Sequence, residues 1–516
     1  MSIGASRVQY IWSPLLGWAL LTCSASIALA QIGVAVPGIS DAPAASSNQA
    51  NPTTDQTTGA PGNTASGVPT VADPAPAPVV RPSIPVDISL PAGTTVANPS
   101  TQVIPGASDT FAGTTGGAPS AGFSAVSYNG APSGDELGIT IGSFRLYPTI
   151  DITVGVDSNP FTQTSTSTPP PQASLSTTIS PSLALRSEWL NHSINFLLGG
   201  GFGYYSTAST QNYQNYFLIV DGRVDVRDDL AVAYSFGYRR ATEALGTPNV
   251  AFAQAPTVAE SIPLTLALTK KFNRLSVEVG GSATRSWFTD FSTITVSGLD
   301  AASRNRTAYE EHIRLGYDIS DDLTVFITPS ISQLRYDLTP DTSGQDRNST
   351  QAGLAIGANW VISAITSITG NVGLTTTSGA LGSTSATTFS LSGSYNGYAP
   401  LTLRPNLSRS ITESALSAYR NIVQTTLGMD YNYQIFDEFV LSGGISYSLS
   451  DYQPIDGLGA SPREDAFARA SIGFLWSPRP QFSIGPVYEY TQGSSSDANG
   501  PAYNRQIISI RLSARR

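Results

Sequence analysis

Charged residues make up only 12% of this 516-residue chain, and its single cysteine, Cys23, lies near the N-terminus. The net charge of −10 comes without basic clusters, which excludes a nucleic-acid partner, because neutralising phosphates requires grouped lysines and arginines. Only two histidines are present, His192 and His312, and neither begins a metal-binding or nucleophile motif. His192 sits in Asn191-His192-Ser193, where a Ser–His pair could serve a barrel lipase; a histidine at a membrane interface is the simpler reading. The glycine run 199–203 does not lead into a helix, so it is no phosphate-binding loop and instead marks a bent or closely packed strand. Acidic residues in candidate loops, Asp337, Asp341, Asp346, Asp451 and Asp456, lack calcium-loop spacing and read as solvated. No catalytic, cofactor-binding or metal-binding residues are therefore expected. Helical periodicity is also missing after residue 30, which excludes a helical soluble core.

What is there is alternation. In residues 143–157 the even positions carry Phe144, Leu146, Pro148, Ile150, Ile152, Val154 and Val156. The odd positions carry Ser143, Arg145, Tyr147, Thr149, Asp151, Thr153, Gly155 and Asp157. Side chains of a strand point to opposite faces with period two, so one face is apolar and the other wet. The pattern recurs about eighteen times, with spans near 143–157, 173–187, 191–205, 215–227, 229–242, 260–272, 274–288, 304–319, 322–337, 349–363, 366–378, 384–396, 400–412, 418–433, 438–450, 464–477, 481–492 and 502–514. Most exceed the roughly 9–11 tilted residues that cross a bilayer. The expected fold is all-β, an antiparallel up-and-down transmembrane barrel of 16–18 strands spanning residues 138–516.

The region before the barrel divides in two. Residues 1–30 read as a secretory signal peptide: Arg7, an apolar stretch from Ile11, and Ala28-Leu29-Ala30 as a small-x-small cleavage site. An uncleaved anchor fits less well, because Ser13, Pro14, Thr22 and Ser24 interrupt the stretch. Lipidation at Cys23 is disfavoured by the bulk of Thr22 before it. Removing the signal leaves no cysteine, as suits an exported bacterial protein without disulfides. Residues 31–137 are rich in Pro, Ala, Ser, Thr and Gly, with Phe111, Phe123 and Tyr128 as the exceptional aromatics. Such a segment cannot offset its ordering entropy and reads as a disordered periplasmic spacer, with a tether, partner-binding tail or plug as sharper alternatives.

Loop lengths orient the barrel. Joins after the second, fourth, sixth, eighth, fourteenth and sixteenth strands are short: Glu188-Trp189-Leu190, Asp228, Asn273, Asp321, Asp437 and Pro478-Arg479-Pro480. Joins after odd strands are longer, as at 158–172, 243–259 and 451–463. Short turns face the periplasm in bacterial barrels, which puts both termini there. Trp189, Trp360 and Trp476 fall near the short-turn rim and Trp287 near the other, outlining two interfacial girdles in contact with outer-membrane lipid.

The inward positions follow from the same parity. Ser174, Ser176, Thr178, Ser180 and Ser182 line one strand; Ser276, Glu278, Ser282, Thr284 and Ser286 line another. Small hydroxyls on an eighteen-strand wall leave room for water, which implies a pore. Charge concentrates on one strand, where Arg306, Glu310, His312, Arg314 and Asp318 face the lumen while Tyr309, Ile313, Leu315, Tyr317 and Ile319 face lipid. Other inward candidates are Arg145, Asp151, Arg186, Asp221, Arg223, Arg239, Arg404, Arg469 and Glu489. These groups form either a selectivity constriction or a ladder of mutually neutralising pairs.

Phe144-Arg145-Leu146-Tyr147-Pro148 through Asp157-Ser158-Asn159-Pro160-Phe161 resembles the start of the type 2 outer-membrane β-barrel porins of Gram-negative bacteria. The stretches 213–227 and 234–240, and Phe272-Asn273-Arg274-Leu275-Ser276, resemble that family too, so the likeness covers residues 143–516. It implies an outer-membrane location, and some members accompany exopolysaccharide export systems. One departure is the C-terminus: barrels commonly end in an aromatic residue read by the barrel-assembly machinery, whereas this chain ends Leu512-Ser513-Ala514-Arg515-Arg516. Three functions stand open at this point: a channel for small hydrophilic solutes, a polysaccharide conduit, and a non-transporting surface or envelope anchor.

Overall fold

Residues that alternate apolar and polar form strands because the pleat separates the two sets, and here the separation runs around a complete circle. The computed structural model describes residues 138–516 apart from 244, 248, 250–255, 291–299, 398–400 and 499. The expected signal peptide, 1–30, and the segment 31–137 lie outside the described residues.

A three-residue strand, β1 (Ile139–Ile141), precedes the barrel. The first half of the wall comprises β2 (Phe144–Asp157), β3 (Ser174–Ser187), β4 (His192–Tyr205), β5 (Tyr213–Arg227), β6 (Leu230–Glu243), β7 (Thr257–Phe272), β8 (Leu275–Asp290), β9 (Arg306–Ser320) and β10 (Leu323–Tyr336). The second half comprises β11 (Ser349–Ser363), β12 (Thr366–Gly379), β13 (Gly382–Asn396), β14 (Leu401–Glu413), β15 (Tyr419–Phe436), β16 (Phe439–Pro454), β17 (Arg463–Arg479), β18 (Phe482–Ser495) and β19 (Tyr503–Arg515). Each pairs antiparallel with the next, and β19 returns to β2 from Ile507–Asp157 to Arg515–Thr149. The barrel is closed, with 18 strands. Closure matters because an open edge would leave backbone N–H and C=O groups unsatisfied in lipid.

The observed strands match the expected spans within a few residues, and three short elements were not legible. These are β1, the helix α1 (Ala301–Arg304) and a 3-10 turn at Ser209–Gln211. β1 pairs with the lower end of β2, Ile139 opposite Leu146 and Ile141 opposite Phe144. In α1 the Asp300 side chain accepts from the Ser303 amide, capping the turn.

Burial follows parity. Ile150, Val154, Val156 and Leu183 are 40–50% exposed on the outside, while Thr153, Asp157, Ser176 and Ser182 are buried on the inside. The tight turn Phe272–Leu275 has Asn273 at φ +57, a conformation asparagine tolerates and hairpin turns need. One join departs from the expected rule: β12 and β13 meet at the long-loop end through a tight turn, Gly379 directly opposite Gly382.

Both rims carry aromatic residues. Trp189 donates from Nε1 to Ser143 Oγ at 3.1 Å and meets Phe144 edge-on at 5.4 Å. Trp476 donates to Glu438 Oε2 at 3.1 Å, beside a stack of Phe439 on Phe474. Trp360 lies opposite Leu323 near the same end. Trp287 sits near the opposite end of the wall, with the Arg285 guanidinium 5.2 Å from its ring centre. Rings with a polar edge favour these two levels.

Candidate functional site

The charged strand β9 shows how the lumen wall is built. Arg306, His312 and Gly316 are buried and Glu310, Arg314 and Asp318 half-buried, whereas Tyr309, Ile313, Leu315, Tyr317 and Ile319 are exposed. His312 Nε2 lies 3.3 Å from Glu278 Oε1, on the adjacent strand β8. Gly280, directly opposite His312, makes this possible, since a Cβ there would sit 2.4 Å from the imidazole Cε1. The Arg314 guanidinium carbon lies over the ring of Phe326, 3.6 Å from its centre, and Asp318 accepts from Thr324 Oγ1 at 2.6 Å. Most of these groups are held by a neighbour on the next strand, the arrangement of a ladder.

Other inward candidates are similarly engaged. Arg145 pairs with Glu188 at 2.7 Å, and Arg186 lies 5.5 Å from the Tyr147 ring centre. Asp221 accepts from Asn195 Nδ2 at 2.9 Å, and Arg223 pairs with Asp225 on its own strand at 2.6 Å. Arg469 pairs with Glu489 at 2.8 Å, and Asp151 with Arg511 at 3.0 Å. Arg404 lies opposite Asp430, and Arg239 opposite the buried Phe217.

Arg306 is different. It points inward but is 1% exposed, so no water-filled passage borders it. Its guanidinium reaches Glu413 at 2.6 Å, although β14 lies five strands away around the wall. Glu413 also accepts from the Tyr336 hydroxyl at 2.8 Å, and Arg304 stands 4.0 Å off while pairing with Glu243 at 2.8 Å. The Phe288 ring packs beneath both arginines, 4.0 and 5.0 Å from their guanidinium carbons. A buried carboxylate is costly unless it is paired, and here Arg306 supplies the opposite charge at Oε1 and the Tyr336 hydroxyl a hydrogen bond at Oε2.

These contacts require the β14–β15 end to leave the wall. The β13–β14 ladder runs from Asn396–Thr402 up to Phe389–Arg409 and stops, while β12–β13 pairing continues to the turn and β14–β15 pairing continues to Glu413–Asn421. By parity Ile411 and Val423 belong on the outer face with Leu427, which is 55% exposed; they are 7% and 5% exposed. The hairpin tip is therefore covered on both sides. Leu416, Tyr419, Ile422 and Tyr452 form a buried apolar cluster on it.

A strap from the β10–β11 connection holds the tip down. Arg347 donates from Nε to Asp341 Oδ2 at 2.7 Å and from its terminal nitrogens to the carbonyls of Tyr419 and Ser417 at 3.3 and 2.9 Å. Burial pushes the Asp341 carboxyl up, but hydrogen bonds from the Gln345 amide, Ser343 and Arg347 outweigh it and hold the group below the usual carboxylate range. From the β6–β7 connection, Asn249 Oδ1 accepts from the Ala415 amide at 3.0 Å. The alternation of apolar and polar residues does not single out Glu413, Arg304, Tyr336 or Arg347. The available signal was Glu413 itself, an acidic residue at an outward position next to Ile411.

An apolar belt outside, hydroxyls and paired charges inside, and hydrogen-bond closure define a transmembrane β-barrel of the porin class. Residues 131–516 match the family described as Putative beta-barrel porin 2, and the chain belongs to it. It is accordingly an outer-membrane protein of a Gram-negative bacterium. Among solved structures it is similar to OccAB3 of Acinetobacter baumannii, at 10% identity and a TM-score of 0.41 over 73% of this chain and 100% of that one. It is similar also to OprD of Pseudomonas aeruginosa, at 12% identity and a TM-score of 0.36 over 74% and 97% of the two chains. The siderophore receptor PirA of P. aeruginosa gives 9% identity and a TM-score of 0.34 over 72% and 80%. No curated protein sequence matches the chain.

Proposed function

We propose that this protein is a diffusion channel for small hydrophilic solutes, with the long-loop end outside the cell and the short turns and both termini in the periplasm. The observation that carries the reading is the inner face: serines, threonines and glycines beside charges paired along the wall, on a circle of 18 strands. A barrel whose interior is filled needs bulky side chains there, and small hydroxyls instead hydrogen-bond water. The half-buried groups on this face, Glu310, Arg314 and Asp318, are the candidates for contact with a passing ion. The inward hairpin narrows the long-loop end, which favours a small solute over a polymer chain.

Conductance across planar bilayers by the refolded barrel tests the reading, with liposome swelling in sugars of increasing size to grade the passage. Ion conductance and uptake of small sugars are expected. A correctly folded barrel that passes neither would leave the envelope-anchoring role. Protease access from outside intact cells to the 337–348 connection tests the orientation.

A further inference from the structure

The β14–β15 hairpin has a vacant seat in the wall. Extending the observed β13–β14 register past Phe389–Arg409 would place Thr388 opposite Ser410, Thr387 opposite Ile411, Ala386 opposite Thr412 and Ser385 opposite Glu413. None of these pairs is formed. Both strands are intact there: β13 pairs with β12 from its first residue, Gly382, and β14 pairs with β15 to Glu413. Two edges of matching length and direction thus face one another across a seam, which is the template on which antiparallel strands pair.

We propose that the hairpin is a gate with two positions, one folded into the lumen as described and one zipped onto β13, and that Glu413 is the residue that sets the balance. The proposal rests on the channel reading. In the inward position the hairpin gains the Glu413 contacts to Arg306 and Tyr336 and the Arg347 strap. In the zipped position it gains the four missing ladder pairs and returns Ile411 and Val423 to the outer face, where their apolar side chains meet lipid. Glu413 would then leave its buried cations and stand beside Ser385 at the rim. The hinge lies at Phe389–Arg409, where the ladder ends. Contacts already bridge the seam near its top: Thr384 Oγ1 donates to Asn421 Oδ1 at 3.1 Å, and Arg420 donates to the Leu381 carbonyl at 3.3 Å. These keep the two edges close, so that zipping is a rotation of the hairpin rather than a transfer across the mouth.

A disulfide staple tests the movement apart from the conduction. Thr387→Cys with Ile411→Cys places two thiols directly opposite each other only in the zipped register, where Cα atoms lie about 4.5–5.5 Å apart and a disulfide can form. The chain has no cysteine beyond Cys23 to compete. Oxidation is expected to cross-link the pair, seen as a mobility change of the folded barrel, and to raise single-channel conductance several-fold, with reductant restoring the original level. Glu413→Gln without any staple is expected to shift the same channel toward the high level, and heat-modifiable mobility on gels checks that the barrel is folded. A pair that never cross-links in a folded barrel overturns the gate, as does a verified cross-link with unchanged conductance in a conducting channel. A cross-link in a barrel that conducts in neither state would keep the movement and sink the channel reading instead.

Discussion

The two ends of this barrel are built from the same strands by different rules. At the short-turn end the wall is regular: strands joined by brief turns, charges paired with a neighbour one strand away, and a ring of tryptophan and phenylalanine at the interface. At the long-loop end, residues far apart around the wall meet in the middle, as Glu413 meets Arg306 and Arg347 meets Ser417. One end is decided by neighbours and can be derived from the pleat. The other is decided by contacts across the lumen, so it can change without the wall changing.

Substitutions can break that contrast. Arg306→Ala removes the closest cation from a buried Glu413 and is expected to cost about 3–5 kcal/mol locally, the usual penalty for half of a buried ion pair. Hydrogen exchange should rise at the long-loop end alone; equal loss of protection at the short-turn end would mean that the two ends are not independent. Leu183→Arg acts on the wall itself, placing a charge on an outward position that is 42% exposed. It is expected to cost about 2–4 kcal/mol of barrel stability in a urea titration, and a neutral result would put the facing assignment of β3 in error. Arg314→Ala is expected to lose about 1 kcal/mol from the stacking on Phe326 and to move the reversal potential in a salt gradient toward cation preference. An unchanged reversal potential would assign Arg314 to the wall alone.

Acid offers a graded test. Because Asp341 is held below its ordinary value of about 3.9 by its hydrogen bonds, its contribution is complete above that value and is lost only as pH falls through the lower, folded one. Exchange of the 337–348 connection, corrected for intrinsic rate, should be the same at pH 7 and pH 5 and accelerate below pH 4. Acceleration already between pH 7 and pH 5 would point to another group. The smallest effect is expected from Arg285→Ala, since Arg285 and Asp337 pair near the rim with both side chains partly open to solvent. A loss of about 0–1 kcal/mol is typical of such pairs.

The wall was legible in the sequence because parity is a local property: in Phe144–Asp157 every side chain's face follows from its position alone. The strand number and the barrel class come from that one count, and so does the expectation that Arg145, Asp151 and Arg314 face inward. The hairpin was hard to read because Ser410-Ile411-Thr412 continues the same alternation while the strand leaves the sheet, and Glu413 alone breaks it. Glu413 apart, nothing local distinguishes an Ile411 that faces lipid from one buried on a neighbour. Arg306 shows the same limit. Its inward direction could be read from parity, but its burial depends on a partner 107 residues later in the chain, which no period detects.

The small strand β1 has a consequence for assembly. β19 pairs with β2 down to Thr149, so the first residues of β2, Phe144 to Leu146, would stand bare at the base of the closing seam. β1 occupies that gap and sets Ile139 and Ile141 beside Leu146 and Phe144. The chain thus supplies its own doorstop: the final zipper closes β19 onto β2, and β1 covers the rungs of β2 that lie below it.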